Sequence, residues 1–355
     1  MSEQRMEALV TEVPVEGSPV MVKKLIPVPE LAPNQALVKI SYIAQNPTDV
    51  QSLDSNAFGN DAVLGCDYVG TVEKTGDKCS KLSRGDTVAG LIWGGALLSK
   101  GEIKGIGAYS EYSVADDNIS FRVPKNISLQ EAATLPLASM TAWLALFSKQ
   151  CLSIPRDSSI GTSILIWGGS SSVGSYAIQI AAMQHLNVVT TCSPRHFDRV
   201  TALGANHVFD YNDDNVVESI RKAVPGLKYV FDTIGNKSSS GQASQAIDER
   251  GGCLCTVRPG KANTDDVSTQ TTVTDVLVWT AFLKEHQYGD FKWPVNEDDH
   301  KLGTEFYEKL PDWIEAGKFK PNSPKLIPGG LDGVKRGFQA YRDGAISGEK
   351  LVYGL

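Results

Sequence analysis

Three serines set among glycines, Gly168-Gly-Ser-Ser-Ser-Val-Gly174, are the residues of this chain whose type and spacing point most directly to chemistry. A turn of small residues opening a helix collects backbone N–H groups, and serine hydroxyls add donors, so the pattern suits a phosphate-bearing ligand. The flanks agree with that use. Ile164, Leu165, Ile166 and Trp167 are continuously apolar, as a parallel strand buried on both faces should be. Beyond the turn, Val173, Ala177, Ile178, Ala181 and Ala182 mark one face of a helix. Strand, small-residue turn and helix in that order hold a dinucleotide pyrophosphate in doubly wound sheets, although serine stands here at one of the glycine places of G-x-G-x-x-G. A turn that is only structural is the alternative reading.

The next strand, Asn187-Val-Val-Thr-Thr-Cys-Ser193, ends where a NAD enzyme usually carries an aspartate or glutamate for the ribose hydroxyls. No acid stands there. Ser193-Pro-Arg-His196 offers a hydroxyl, fixed guanidinium donors and an imidazole, a set suited to a 2′-phosphate, so NADPH is expected over NADH. The alternative for Arg195 and His196 is a solvated loop. Gly204–Tyr211, Tyr229–Gly235 and Gly252–Val257 supply a third, fourth and fifth strand with helical segments between them.

These elements need a larger frame. At 355 residues the chain exceeds what one core normally covers, and two domains are expected. A net charge of -7 gives no support for nucleic-acid or anionic-membrane binding. The sequence has neither a bilayer-length apolar run nor a charged-then-apolar leader, from which a cytoplasmic protein is expected. Six scattered cysteines, mostly inside apolar segments, read as small buried hydrophobes rather than a disulfide frame. Residues 1–135 alternate differently: Ala36–Ala44, Tyr68–Glu73 and Asp86–Ile92 are short runs broken by turns, as in a compact, mainly β, barrel-like domain. A Rossmann-type region is expected over 136–285. The tail, 286–355, contains a helical stretch at Glu305–Glu315 and a last strand at Glu349–Tyr353, whose docking place periodicity does not reveal.

Seven landmarks occur in a recognisable order: Asn46-Pro-Thr-Asp49, Leu64-Gly-Cys-Asp-Tyr-Val-Gly70, Gly85-Asp-Thr-Val88, Gly107-Ala-Tyr-Ser-Glu-Tyr112, Leu135-Pro-Leu-Ala-Ser-Met-Thr-Ala142, the serine-rich turn, and Ser347-Gly-Glu-Lys-Leu-Val352. Over essentially its whole length the chain resembles the medium-chain dehydrogenase/reductase superfamily. That resemblance implies a GroES-like domain, a Rossmann domain and a tail returning to the first domain. Thr191-Cys-Ser-Pro-Arg-His-Phe-Asp198 and Ser347-Gly-Glu-Lys350 further resemble fungal enoyl reductases acting in trans on polyketide synthases, and their ToxD-like relatives.

The resemblance implies roles for individual residues. Ser170, Ser171, Ser172 and Val173 match the pyrophosphate turn, Ser193, Pro194, Arg195 and His196 the 2′-phosphate loop, and Tyr211 the adenosine flank. Ile234 and Gly235 follow the fourth strand, Leu277 and Val278 pass the nicotinamide amide, and Ala345 and Ile346 complete the pocket. Thr48, Asp49, Val50 and Gln51 match the loop reaching toward the nicotinamide. Several relatives carry tyrosine or lysine at the Gln51 place, and glutamine donates a hydrogen bond without delivering a proton. Gln51 is then expected to orient substrate while water or Tyr68 protonates it. For Thr48 and Gln51 the alternative is to cap their own loop, and for Asp49 to fix neighbouring amides. Met140 and Thr141 match the helix beside the nicotinamide ribose, with helix capping by Ser139 or Thr141 as the alternative. The aromatic stretch Trp279–Trp293 reads as an acyl cleft, a packed cap or a subunit contact.

Zinc alcohol dehydrogenases of the superfamily have cysteine at the Asn46 place and Gly-His-Glu where this chain has Gly65-Cys66-Asp67. With Leu137 and Ala138 near the third ligand place, and no four-cysteine lobe between Leu91 and Tyr109, no metal is expected. Carbonyl reduction then lacks a Lewis acid. Hydride addition to the β-carbon of an α,β-unsaturated carbonyl needs only hydrogen bonds to the enolate oxygen, so an enoyl reductase is expected. Its catalytic residues are expected among Asn46, Thr48, Gln51, Met140 and Thr141. Its expected substrate is a small or carrier-bound acyl group, the carrier being a polyketide synthase domain, with the protein a monomer or homodimer. A quinone or small-enone reductase and a non-catalytic NADPH-binding protein are the competing classes.

Overall fold

The computed structural model describes residues 4–93, 107–156, 161–288 and 291–355. Two compact units emerge, one made of 1–137, 282–295 and 304–355, the other of 138–281 and 296–303. Most of the stretch that would carry a structural metal lobe, 94–106, lies outside the described residues.

The first unit contains β1 (Arg5–Glu12), β2 (Val20–Pro27), β3 (Gln35–Ala44), α1 (Pro47–Asp54), β4 (Asp67–Thr75), β5 (Thr87–Leu91), β6 (Tyr112–Asp116), β7 (Ser120–Arg122) and α2 (Leu129–Ala133). Helix α3 (Pro136–Phe147) leads out of it. The second unit holds β8 (Ser163–Trp167), α4 (Ser172–Met183), β9 (Asn187–Thr191), α5 (Phe197–Ala202), β10 (His207–Phe209), α6 (Val216–Ala223), β11 (Tyr229–Asp232), α7 (Ser239–Ser244), β12 (Gly252–Thr256) and β13 (Thr271–Asp275). The chain closes with β14 (His286–Tyr288), β15 (Phe291–Trp293), α8 (Glu297–Glu315), β16 (Pro324–Leu326), α9 (Val334–Arg342) and β17 (Lys350–Gly354).

In the second unit, six parallel strands lie in the order β10-β9-β8-β11-β12-β13, a Rossmann-like sheet. Strand β8 is central, and Ile164, Leu165, Ile166 and Trp167 are all buried, as the unbroken apolar run requires. Strand β13 was not anticipated. Its Thr271-Thr-Val-Thr-Asp sequence is short and half-buried at the sheet edge, so it carries little apolar signal.

The first unit has a seven-stranded mixed sheet of GroES-like type, ordered β16-β17-β3-β4-β5-β7, with β6 also on β3. Strand β3 is irregular in register against β4 at Leu37/Val38 and Ile40/Tyr42, which bends it and allows it to serve several neighbours. At its end, Ala44 pairs with Asp67 of β4 on one side and Val352 of β17 on the other. The docking place that periodicity left open is therefore between β16 and β3 of this sheet. Helix α8 also begins two turns before the expected Glu305. The Asn296 side chain accepts the Asp299 N–H at 3.0 Å, and Glu297, Asp298 and Asp299 favour the positive end of the helix dipole.

Candidate functional site

The second unit gathers the residues expected around the pyrophosphate, 2′-phosphate and adenosine at the carboxyl ends of its strands. Chain order reverses between β8 and β11, and a doubly wound sheet opens its ligand crevice at that switch point. Gly168 has φ +90°, a conformation a side chain resists, and a Cβ on Gly174 would overlap the Gly168 carbonyl. Ser171 caps α4, its Oγ accepting the Gly174 N–H at 2.9 Å. Thr233 pins the turn across the switch point, donating to the carbonyls of Trp167 at 2.8 Å and Gly168 at 3.0 Å, with Ser171 Oγ 2.9 Å away. The buried Asp232 carboxylate accepts the N–H groups of Ile234 and Gly235, and the hydroxyls of Ser239 and Ser240. It thereby shapes the loop that carries two expected cofactor residues. Sequence reading passed over Asp232 and Thr233, although a polar pair ending an apolar strand was a visible signal.

Ser193 leaves β9, and Pro194, Arg195 and His196 form a short 3-10 turn before α5. Pro194 and Arg195 are exposed. Burial, followed by the nearby cations Arg195 and Arg199, lowers the His196 pKa from its ordinary value. Arg199, which sequence reading omitted, is half-buried and donates to Ser175 Oγ at 3.3 Å. Tyr211 follows β10 and is 44% exposed, while Leu277 and Val278 are buried after β13. Met140 is fully buried and lies against Gly303; Thr141 is also buried. Both are interior to α3, which begins at Pro136, so neither Ser139 nor Thr141 is an N-cap.

In the first unit, the pairings of Ala44 bring three distant residues together: Asn46 just past β3, Asp67 opening β4 and Lys350 opening β17. Lys350 Nζ donates to Asn46 Oδ1 at 2.5 Å and stands 3.2 Å from Asp67 Oδ2, with both charged side chains almost wholly buried. Asn46 Nδ2 donates to the same Asp67 oxygen at 2.9 Å, and Asp67 Oδ1 accepts the Leu137 N–H at 2.7 Å. One carboxylate therefore ties the α1 loop, the last strand and the start of α3. Burial at this cost is sustained when the charge is both paired and hydrogen-bonded.

Helix α1 is held from beneath by Asp49, whose carboxylate accepts Asn46 N–H at 2.8 Å, Tyr109 Oη–H at 2.9 Å and Cys66 Sγ–H at 3.0 Å. Burial pushes its carboxyl up to about 6. Asp49 and Val50 face the core, whereas Thr48 and Gln51 are half-exposed. Gln51 Nε2 donates to Tyr341 Oη at 2.8 Å, near the end of α9. Ala345 is exposed beyond that helix, and Ile346 packs on the core of this unit. Tyr68 is fully buried with its hydroxyl 2.9 Å from Ser120 Oγ, and burial raises its pKa far above the ordinary value.

Comparison with known proteins agrees with this architecture. Residues 32–125 match the alcohol dehydrogenase GroES-like domain, and residues 172–285 the zinc-binding dehydrogenase family. The trans-enoyl reductase ACTTS2 of Alternaria alternata is 33% identical over 338 residues, covering 93% of this chain and 94% of that protein. The trans-enoyl reductase traG of Penicillium crustosum is 31% identical over 339 residues, covering 92% of each. The chain belongs to the medium-chain dehydrogenase/reductase superfamily. Within the superfamily it is closely related to fungal trans-acting enoyl reductases. An alcohol dehydrogenase superfamily protein from Novosphingobium aromaticivorans shares the fold, with TM-score 0.79 and 23% identity over 99% of both chains.

The zinc implied by one matching family does not suit this member. Asn46 and Asp67 spend their oxygens on Lys350 and the Leu137 N–H, and the Cys66 thiol is turned to Asp49. Among the described residues no group of three or more His, Cys, Asp or Glu is arranged to hold a metal ion. An ammonium, rather than a set of soft donors, fills this place in the dehydrogenase/reductase fold.

Proposed function

We propose that this protein is an NADPH-dependent enoyl reductase, acting in the cytoplasm on an α,β-unsaturated acyl group presented by a polyketide synthase carrier domain. The observation that carries the reading is likeness over nearly the whole chain to proteins named trans-enoyl reductases. Bound NADPH would supply a hydride to the β-carbon of the acyl group.

The chain's own residues bind and orient. Backbone N–H groups of Ser170, Ser171, Ser172 and Val173 would hold the pyrophosphate at the start of α4. Ser193, Arg195 and His196, supported by Arg199, would take the 2′-phosphate, and Pro194 would set their turn. Tyr211 would flank the adenosine, while Ile234, Gly235, Leu277 and Val278 would frame the nicotinamide end. Thr48 and Gln51 would face the substrate carbonyl, and in the second unit Met140 and Thr141 would flank the nicotinamide ribose. Asp49 and Val50, being buried, would serve by holding the α1 turn. The developing enolate charge would then meet fixed donors, with no metal required.

A substrate panel tests this. Purified protein with NADPH is expected to reduce a 2-enoyl thioester and to leave the matched saturated ketone untouched. Turnover confined to ketones or free quinones would overturn the proposal.

A further inference from the structure

The proposed reaction needs a proton for the α-carbon, and Tyr68, Tyr109, Tyr341 and Tyr353 are phenols of the first unit to be weighed as its source. Three are committed. Tyr109 donates to Asp49 and Tyr353 donates to Gln45 Oε1 at 2.5 Å, both from buried positions. Tyr68 is sealed against Ser120. Tyr341 differs on both counts. Its ring packs partly against the core while the residue remains half-exposed, and its oxygen receives the Gln51 amide hydrogen at 2.8 Å instead of giving up its own.

That polarity matters chemically. A phenol that accepts a hydrogen bond keeps its O–H for another acceptor, and the same Gln51 N–H stabilises the phenolate left after proton transfer. Gln51 has no proton to deliver, yet it holds one that does, from a residue 290 positions away. We infer that the Tyr341 hydroxyl is the proton donor to substrate, positioned by Gln51. The inference rests on the proposed placing of Gln51 at the substrate.

The step balances as follows. The β-carbon accepts a hydride from the reduced nicotinamide, which is oxidised, and the alkene π pair moves through the α-carbon onto the carbonyl oxygen. As the carbonyl re-forms, the α-carbon takes the Tyr341 proton, forming a C–H bond while the phenol O–H bond breaks. Water then returns a proton to the phenolate.

The test uses the full chain, NADPH and a crotonyl thioester in D2O. Wild-type protein should place solvent deuterium on one face of the α-carbon. Tyr341→Phe should lower kcat about 100-fold, the scale of general-acid catalysis, and scatter the deuterium over both faces. Its NADPH dissociation constant, read by fluorescence, and its melting temperature should stay near wild type. Gln51→Leu, which keeps the phenol but not its partner, should lower kcat about tenfold and retain one-face labelling. Full activity in Tyr341→Phe, or slow turnover with labelling still on one face, would overturn the inference. Should Tyr341→Phe fail to fold, unchanged kcat and solvent isotope effect in Gln51→Leu would overturn it equally. A wild-type protein inert toward every enoyl thioester would instead defeat the enoyl-reductase proposal on which the inference stands.

Discussion

Replacing Lys350 with methionine removes a cation while nearly preserving volume, and so isolates the charge at the centre of the first unit. Side-chain exposure is 3% for Lys350 and 0% for Asp67, so solvent offers the abandoned carboxylate nothing. Breaking a buried pair in this way costs about 3–5 kcal/mol. The lower end applies, because Asp67 keeps the Asn46 amide and the Leu137 N–H. About 3 kcal/mol in a unit of this size lowers the melting temperature by roughly 6–12 °C. Differential scanning calorimetry of Lys350→Met, Asp67→Asn and the double variant would read the pair term directly. The double variant should recover at least about 2 kcal/mol of the summed single losses, since it leaves no buried ion. If Lys350→Met melts within about 1 °C of wild type, the pair does not hold β17 to the α1 loop and the reasoning fails.

Three further outcomes are expected. Replacing Arg195 and His196 together by alanine should raise the KM for NADPH about 10- to 100-fold, the value of one or two charge-assisted contacts, and hardly alter that for NADH. Equal effects on both cofactors would remove the 2′-phosphate assignment. Asp49, with its carboxyl near 6 when folded and about 3.9 when unfolded, holds more protons in the folded state between those values. Its contribution is therefore greatest below the unfolded value and is lost as pH rises through 6. Denaturant titrations should show wild type gaining about 1 kcal/mol on Asp49→Asn between pH 7 and pH 5, and a gain in the other direction contradicts the burial argument. Tyr68→Phe should leave kcat within about twofold while costing roughly 1 kcal/mol of stability, because its hydroxyl serves Ser120 inside the core. A large loss of kcat would return Tyr68 to the reaction.

Legibility followed sequence distance. The nucleotide half could be read because each signal is local: an apolar strand, a turn that tolerates no Cβ at Gly174, a capping serine and a helix occupy twenty consecutive residues. The unlike character of Ser193-Pro-Arg-His196 was equally visible, since one missing acid at one strand end changes the electrostatics by itself. Weakly patterned pieces escaped, such as β13, half-buried at an edge, and the first two turns of α8, whose charged residues mask its periodicity.

By itself, then, the sequence determined the order of elements, the dinucleotide turn and the departure from the zinc-enzyme pattern at Asn46, Cys66 and Asp67, because these depend on near neighbours and on residue identity. Tertiary structure alone decided that β17 lies against β3, that Lys350 stands between Asn46 and Asp67, and that Gln51 meets Tyr341. Strand docking brings those groups within hydrogen-bond reach across some 300 residues of chain, and no local pattern encodes a contact whose partners are chosen by the packing of a sheet.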